Sequence, residues 1–406
     1  MGQHLEDFSP IKSKNLKVRK ASAAVSIALI LLLVFGSGWA FGKGKITLTG
    51  LKNGTINKGG SSLDFSSVDE VYAALKENYD GSVDPTKLID GLKTGLVQAA
   101  GDPYTEYFNV DDSKSFNEQL TGSFEGIGAE LGMSDKNVDI ISPIAGSPAE
   151  KAGIRPKDII IQVDGKSVDG LTIDAVVRLI RGKAGTDVKL VLARDGNRVE
   201  VTITRAQITI PSVKWEERGT TGILTVSRFS DDTPGLAAQA AAEFKAKGVT
   251  GVVLDLRSDP GGLLDSAVKL SSLWLPEGQT VLKEKRAGVV QHTYTALGNP
   301  VLNGIKTVVL INEGSASASE ITAGALHDDK AASLMGTKSY GKGSVQQVLQ
   351  LKGGGTLKVT IARWYTPNDK NIDKEGITPE TIVNITADDL KAARDPQLDA
   401  ALAAVK

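Results

Sequence analysis

Three short apolar runs, each ending in a glycine or small-residue turn and followed by a helix-compatible stretch, restrict the folds open to the second half of this chain. They are GILTVS at 222–227, GVVLDLR at 251–257 and TVVLI at 307–311. Continuous apolar runs of this length fit buried strands, and strands alternating with helices predict an α/β layer. The turns after them then fall at the carboxyl ends of the strands, where open α/β sheets usually hold their sites.

The turn after 307–311 presents three hydroxyls, Ser315, Ser317 and Ser319, and Lys342 follows between Gly341 and Gly343. A serine hydroxyl is a poor nucleophile unless a base takes its proton, and an amine can do so once burial lowers its pKa. The plainer reading of Ser317-Ala-Ser-Glu320 is a capping box, and that of Lys342 alone is a surface lysine. What joins them to chemistry is the Gly261-Gly262 pair after the 251–257 run, which can offer backbone amides to an oxyanion. Lys342, Ser344 and Gln346 alternate as in a strand, so their side chains are expected on one side. His327, ten residues past Ser317, would lie about 15 Å along a helix axis, out of hydrogen-bond reach. Spacing does not select among the three serines.

At DLRSDPGG (255–262), GSASASEI (314–321), GTKSYGKGSVQ (336–346) and EGITPE (375–380) the chain resembles the C-terminal processing, or tail-specific, serine peptidases. With upstream matches the resemblance runs from about Asp69 to Val383. It implies a crotonase-like α/β catalytic core in which Ser317 is the nucleophile, Lys342 the general base and Gln346 the residue that orients the lysine. By the same resemblance Ala318 and Gly261 or Gly262 form the oxyanion hole through their amides. Asp259 departs from the pattern, which usually has asparagine there, and so sets an acidic group beside the oxyanion loop.

Upstream, residues 113–207 form a β-rich pattern that includes GIGAEL, VDIISPI and a hairpin about Asp195-Gly196. Its order and GIGA loop resemble a PDZ domain, which implies that Gly126, Ile127, Gly128 and Ala129 hold a peptide's terminal carboxylate. The peptide would lie beside a helix at 173–180. Arg181, at that helix's end, is expected as a solvated cation, with a contact to the catalytic unit as the alternative.

Residues 1–20 carry five Lys and Arg, and Ala21–Gly42 is uncharged and about 33 Å long as a helix, enough to span a bilayer. The basic flank places residues 1–20 in the cytoplasm and everything after Lys43 outside. Cleavage as a signal peptide, giving a secreted protein, is the competing reading. A tether at 43–62, a small helical region at 63–112, a catalytic unit at 208–385 and a terminal helix at 386–406 complete the expected multi-domain α/β organisation. The helical region contains GDPYTEYFN (101–109), and its expected role is packing or dimer contact; self-association is also assigned to the tail.

The 47 basic and 48 acidic residues argue against a nucleic-acid partner, and the absence of cysteine excludes disulfides, thiolate metal sites and cysteine nucleophiles. With three scattered histidines, neither metal nor organic cofactor is implied. The expected partners are polypeptides with exposed C-termini, the membrane through the anchor, and further copies of the chain. An inert PDZ scaffold that binds chain ends is the alternative function.

Overall fold

A computed structural model describes residues 63–134 and 137–406. The expected basic tail, anchor and tether (1–62) lie outside them. Among the described residues no helix is long and apolar enough to cross a membrane.

The chain divides after Val83 into two units. In the first, the helix Ser66–Asn78 has its first amide met by Asp64 Oδ1 at 2.9 Å. An acceptor before the first turn satisfies the same orphan donors that a cap would.

The second unit opens with the helix Pro85–Gln98, where Asp84 caps and proline occupies the first turn. Within the region expected to be helical, Glu106–Phe108 is instead a strand, paired antiparallel to Thr356–Tyr365. This short strand ties the GDPYTEYFN segment to the catalytic unit. The helix Val110–Thr121 follows and stops at Gly122. Ser123–Gly126 then pairs with Ala206–Thr209, so the chain enters and leaves the next module as a two-stranded ribbon.

That module is an antiparallel sheet in the order 129–134, 137–143, 159–163, 187–194, 197–204, with the helix Ile173–Ile180 against it. Its core includes Ile140, Val176, Leu190, Leu192 and Ile203. The expected hairpin is present, with positive φ at Asp195 and Gly196, as a two-residue turn of matching twist requires.

The unit expected at 208–385 is built on a six-stranded sheet in the order 213–218, 221–226, 251–255, 306–311, 333–336, 381–382, parallel after its first pair. Alternation along the strands sorts the core. Leu224, Val252, Leu254, Val309 and Ile311 face the helices Thr233–Ala246, Leu264–Ser271 and Ala318–Asp328. Ile223, Val253, Val308 and Leu310 face Ala401 and Val405 of the C-terminal segment. Each such side chain contributes about 1.5–3 kcal/mol by burial, so the helix Pro396–Ala404 belongs to the core. Arg257 fastens it, pairing with Asp255 at 2.6 Å and Asp395 at 2.8 Å. A second sheet, centred on Thr356–Tyr365, carries the lysine segment on the strand Ser344–Gln350.

Candidate active site

The strand Lys306–Ile311 ends in a turn that leads into the helix Ala318–Asp328, and the three serines have separate fates there. Ser315 is buried, its hydroxyl donating to the Leu256 carbonyl at 2.8 Å. Ser319 is buried too, donating to the Asp259 carbonyl at 3.0 Å. Ser317 alone is half-exposed, and its hydroxyl donates to no carbonyl among the described residues. Its backbone sits at φ 55°, ψ −112°, a conformation that costs a non-glycine residue about 1–3 kcal/mol and survives only when its surroundings enforce it. Enforcement comes from the 258–259 loop: Asn312 Oδ1 accepts the Ser258 amide at 2.7 Å, and the Ala316 amide donates to the Asp259 carbonyl at 3.0 Å. Thus the three hydroxyls differ in burial and partners, a difference that spacing does not show.

Glu320 is wholly buried three residues on. Its Oε2 accepts the Ser317 amide at 2.9 Å, the reach-back half of the capping box, and also the Lys342 amide at 2.9 Å. Its Oε1 accepts from the Gly341 amide at 2.7 Å and the Ser339 hydroxyl at 2.6 Å. One carboxylate therefore ties the Ser317 turn to the Lys342 loop. The loop is tight: a side chain on Gly341 would meet the Gly376 amide nitrogen at 2.8 Å, so the EGITPE segment presses on it directly.

Lys342 lies in this loop, before the strand that starts at Ser344, and a bulge between Val345 and Gln346 interrupts the expected alternation. Its carbonyl accepts the Trp364 indole N–H at 2.8 Å, and its amine stands 5.4 Å from the centre of the Tyr104 ring. Burial holds the amine below the usual lysine range; the charge of Lys358 adds to this and Glu320 opposes it. No hydrogen bond joins the amine to Ser317 or Gln346. Gln346 Nε2 donates to Ser344 at 2.7 Å and Thr360 at 3.4 Å. Such bonds often tighten only once substrate is held.

Gly261 lies against the nucleophile turn, where an added Cβ would fall 2.5 Å from the Ala316 carbonyl oxygen. Its amide is taken by Asp259 Oδ1 at 2.8 Å. The Gly262 and Ala318 amides have no partner among the described residues. Asp259 is fully buried, its Oδ2 has no hydrogen-bond partner among the described residues, and burial pushes its pKa up to about 7.

In the sheet module, Gly126 ends the entry ribbon, Ile127 is buried, Gly128 follows, and Ala129 starts an edge strand close to the helix Ile173–Ile180. Arg181 caps that helix and reaches Glu118 of the Val110–Thr121 helix at 2.5 Å, over the Phe124 ring at 4.8 Å. His327 sits at the far end of the Ala318–Asp328 helix beside Glu380 at 3.2 Å, and His292 meets Tyr294 edge-on. Neither approaches Ser317. Among the described residues no group of His, Asp and Glu could hold a metal.

Sequence reasoning gave Glu320 only a capping role and Tyr104 none. A capping box whose glutamate lies in an otherwise small and apolar helix was the available signal for Glu320. Tyr104 carried no signal beyond its place in GDPYTEYFN.

Residues 220–383 match the Peptidase family S41, residues 140–194 a PDZ domain, and residues 35–112 the Activating protease CtpB N-terminal domain. A Staphylococcus haemolyticus protein named "Probable CtpA-like serine protease" is 42% identical over 78% of this chain and 64% of its own length. A Staphylococcus aureus protein of the same name is 39% identical over 81% of this chain and 66% of its length. The chain thus spans just under two thirds of the relatives it matches. A solved Bacteroides fragilis structure described as an S41 protease shares the fold, with TM-score 0.51, 18% identity, and coverage of 84% of this chain and 97% of that one.

Proposed function

Because the chain belongs to peptidase family S41 and carries a PDZ domain, we propose that it is a serine endopeptidase that cleaves polypeptides near their C-termini with a Ser317–Lys342 dyad. The observation that carries this reading is a serine whose hydroxyl donates to no carbonyl, held in strained backbone on a turn that Glu320 joins to the loop of a lysine whose neutral form burial favours. Neutral Lys342 takes the Ser317 proton as the oxygen attacks the substrate carbonyl. The amides of Ala318 and Gly262 hold the resulting oxyanion, each contributing about 3 kcal/mol. Collapse breaks the C–N bond, the lysine's proton goes to the leaving amine, and an ester remains on Ser317. Water then attacks that ester with Lys342 again as base, regenerating the serine. Gln346, acting through its amide, orients the lysine without adding charge.

The groove between the Ala129–Ser134 edge and the Ile173–Ile180 helix receives the substrate's end, its carboxylate meeting the amides of residues 126–129. The uncharged segment 21–42 anchors the enzyme with its catalytic part outside the cytoplasm. Incubation with an unstructured protein bearing an apolar tail, comparing wild type with Ser317→Ala and locating product termini by mass, tests the reading. Cleavage that survives Ser317→Ala would sink it; covalent capture of Ser317 by a serine-directed probe would support it.

A further inference from the structure

The mechanism leaves one buried ionisable group beside the site unused. Asp259 is wholly buried between the strand Gly251–Asp255 and the nucleophile turn. Its carbonyl braces that turn, accepting the Ala316 amide at 3.0 Å and the Ser319 hydroxyl at 3.0 Å. Its Oδ1 accepts the amide of Gly261, the residue that lies against Ser317, and its Oδ2 has no hydrogen-bond partner among the described residues. A buried oxygen without a donor is a poor place for negative charge, and a good one for a proton.

We propose that Asp259 is a positioning residue that works as a neutral acid, setting the Gly261-Gly262 loop against the Ser317 turn, and that loss of its proton shuts proteolysis down. This rests on the dyad reading above. Two consequences of ionisation act in the same direction. The Gly261 amide becomes a charge-assisted donor to the carboxylate, which stiffens the loop in a geometry set by Asp259 instead of by substrate. An anion one hydrogen bond from that loop also opposes the negative charge that the carbonyl oxygen gains during attack.

The charged groups on the surrounding elements do not cancel this. Arg257 and Asp255, on its own segment, are paired with each other and with Asp395. Glu320, on the neighbouring helix, is spent on the amides of Ser317, Gly341 and Lys342. The Gly261 amide, the Ser319 hydroxyl and, after the Thr221–Val226 strand, Arg228 favour the ionised form, but burial outweighs them and leaves the pKa at about 7.

Asp259→Asn keeps the size and the Oδ1 acceptor and removes the titration, so the ratio of its kcat/KM to that of wild type isolates this group from Lys342. That ratio is expected to rise about tenfold between pH 6 and pH 8, as the neutral fraction of a group with a pKa near 7 falls. A ratio constant across that range overturns the proposal, since a merely structural role would lower activity equally at every pH. If Asp259→Asn does not fold, Asp259→Ser, which also lacks the charge, is read the same way. Cleavage abolished by Ser317→Ala in the presence of a flat ratio means that only this inference has failed. Wild-type cleavage that persists in Ser317→Ala removes the dyad reading, and this inference with it.

Discussion

Ser317 and Lys342 share one acceptor: both backbone amides donate to Glu320 Oε2, each at 2.9 Å. The Ser317 turn and the Lys342 loop come from different sheets, yet one buried oxygen fixes their separation. Removing the carboxylate leaves four donors unsatisfied in a dry site, and breaking a buried charged network costs about 3–5 kcal/mol. Glu320→Ala is therefore expected to lower stability by about that amount and to abolish labelling of Ser317. A urea midpoint within experimental error of wild type would show that the clamp is dispensable.

The lysine's lowered pKa predicts the acid side of the activity profile. Only the neutral amine accepts a proton, so kcat/KM is expected to rise with pH through a limb below the ordinary lysine value of 10.5. Lys342→Ala removes activity while the far-ultraviolet circular dichroism of the protein stays that of wild type.

Tyr104 covers the same amine. An aromatic face attracts a cation by about 0.5–2 kcal/mol, which would favour the charged form, yet the pKa falls because burial is the largest influence. Tyr104→Ala admits water and should move the acid limb to higher pH, whereas Tyr104→Phe, which keeps the ring, should leave it in place. Identical limbs in all three proteins would show that the ring does not dry the site.

Asp259 also marks the stability profile. Its folded pKa of about 7 exceeds the ordinary 3.8, so the folded state binds the extra proton and stability falls as pH rises from about 4 to above 7. The full loss is on the order of 4 kcal/mol. Asp259→Asn should therefore gain on wild type as pH rises from 5 to 8, read from urea midpoints at each pH; parallel curves would contradict it.

Two substitutions bracket the site's geometry. His327→Ala, at the exposed far end of the helix, should retain cleavage in the peptide assay. Gly261→Ala places a methyl 2.5 Å from the Ala316 carbonyl oxygen at φ +92°, and should cost roughly 2 kcal/mol or more in thermal or urea unfolding.

By itself the sequence determined the layered core, the PDZ module and the order of the site segments. Those follow from local patterns: apolar runs of strand length, the Asp195-Gly196 turn, and glycines wherever two loops meet closely. It also disposed of His327, because helix rise alone sets that distance. It did not place Lys342 off its strand, because the bulge at Val345–Gln346 depends on pairing with the Thr356–Tyr365 strand. Nor could it separate the three serines by burial and partners, give Glu320 its second task, bring Tyr104 to a lysine 238 positions away, or set the environment of Asp259. Each of these depends on which hydrogen-bond partners and how much water remain once distant loops have closed on one another, and the packed chain alone decides that.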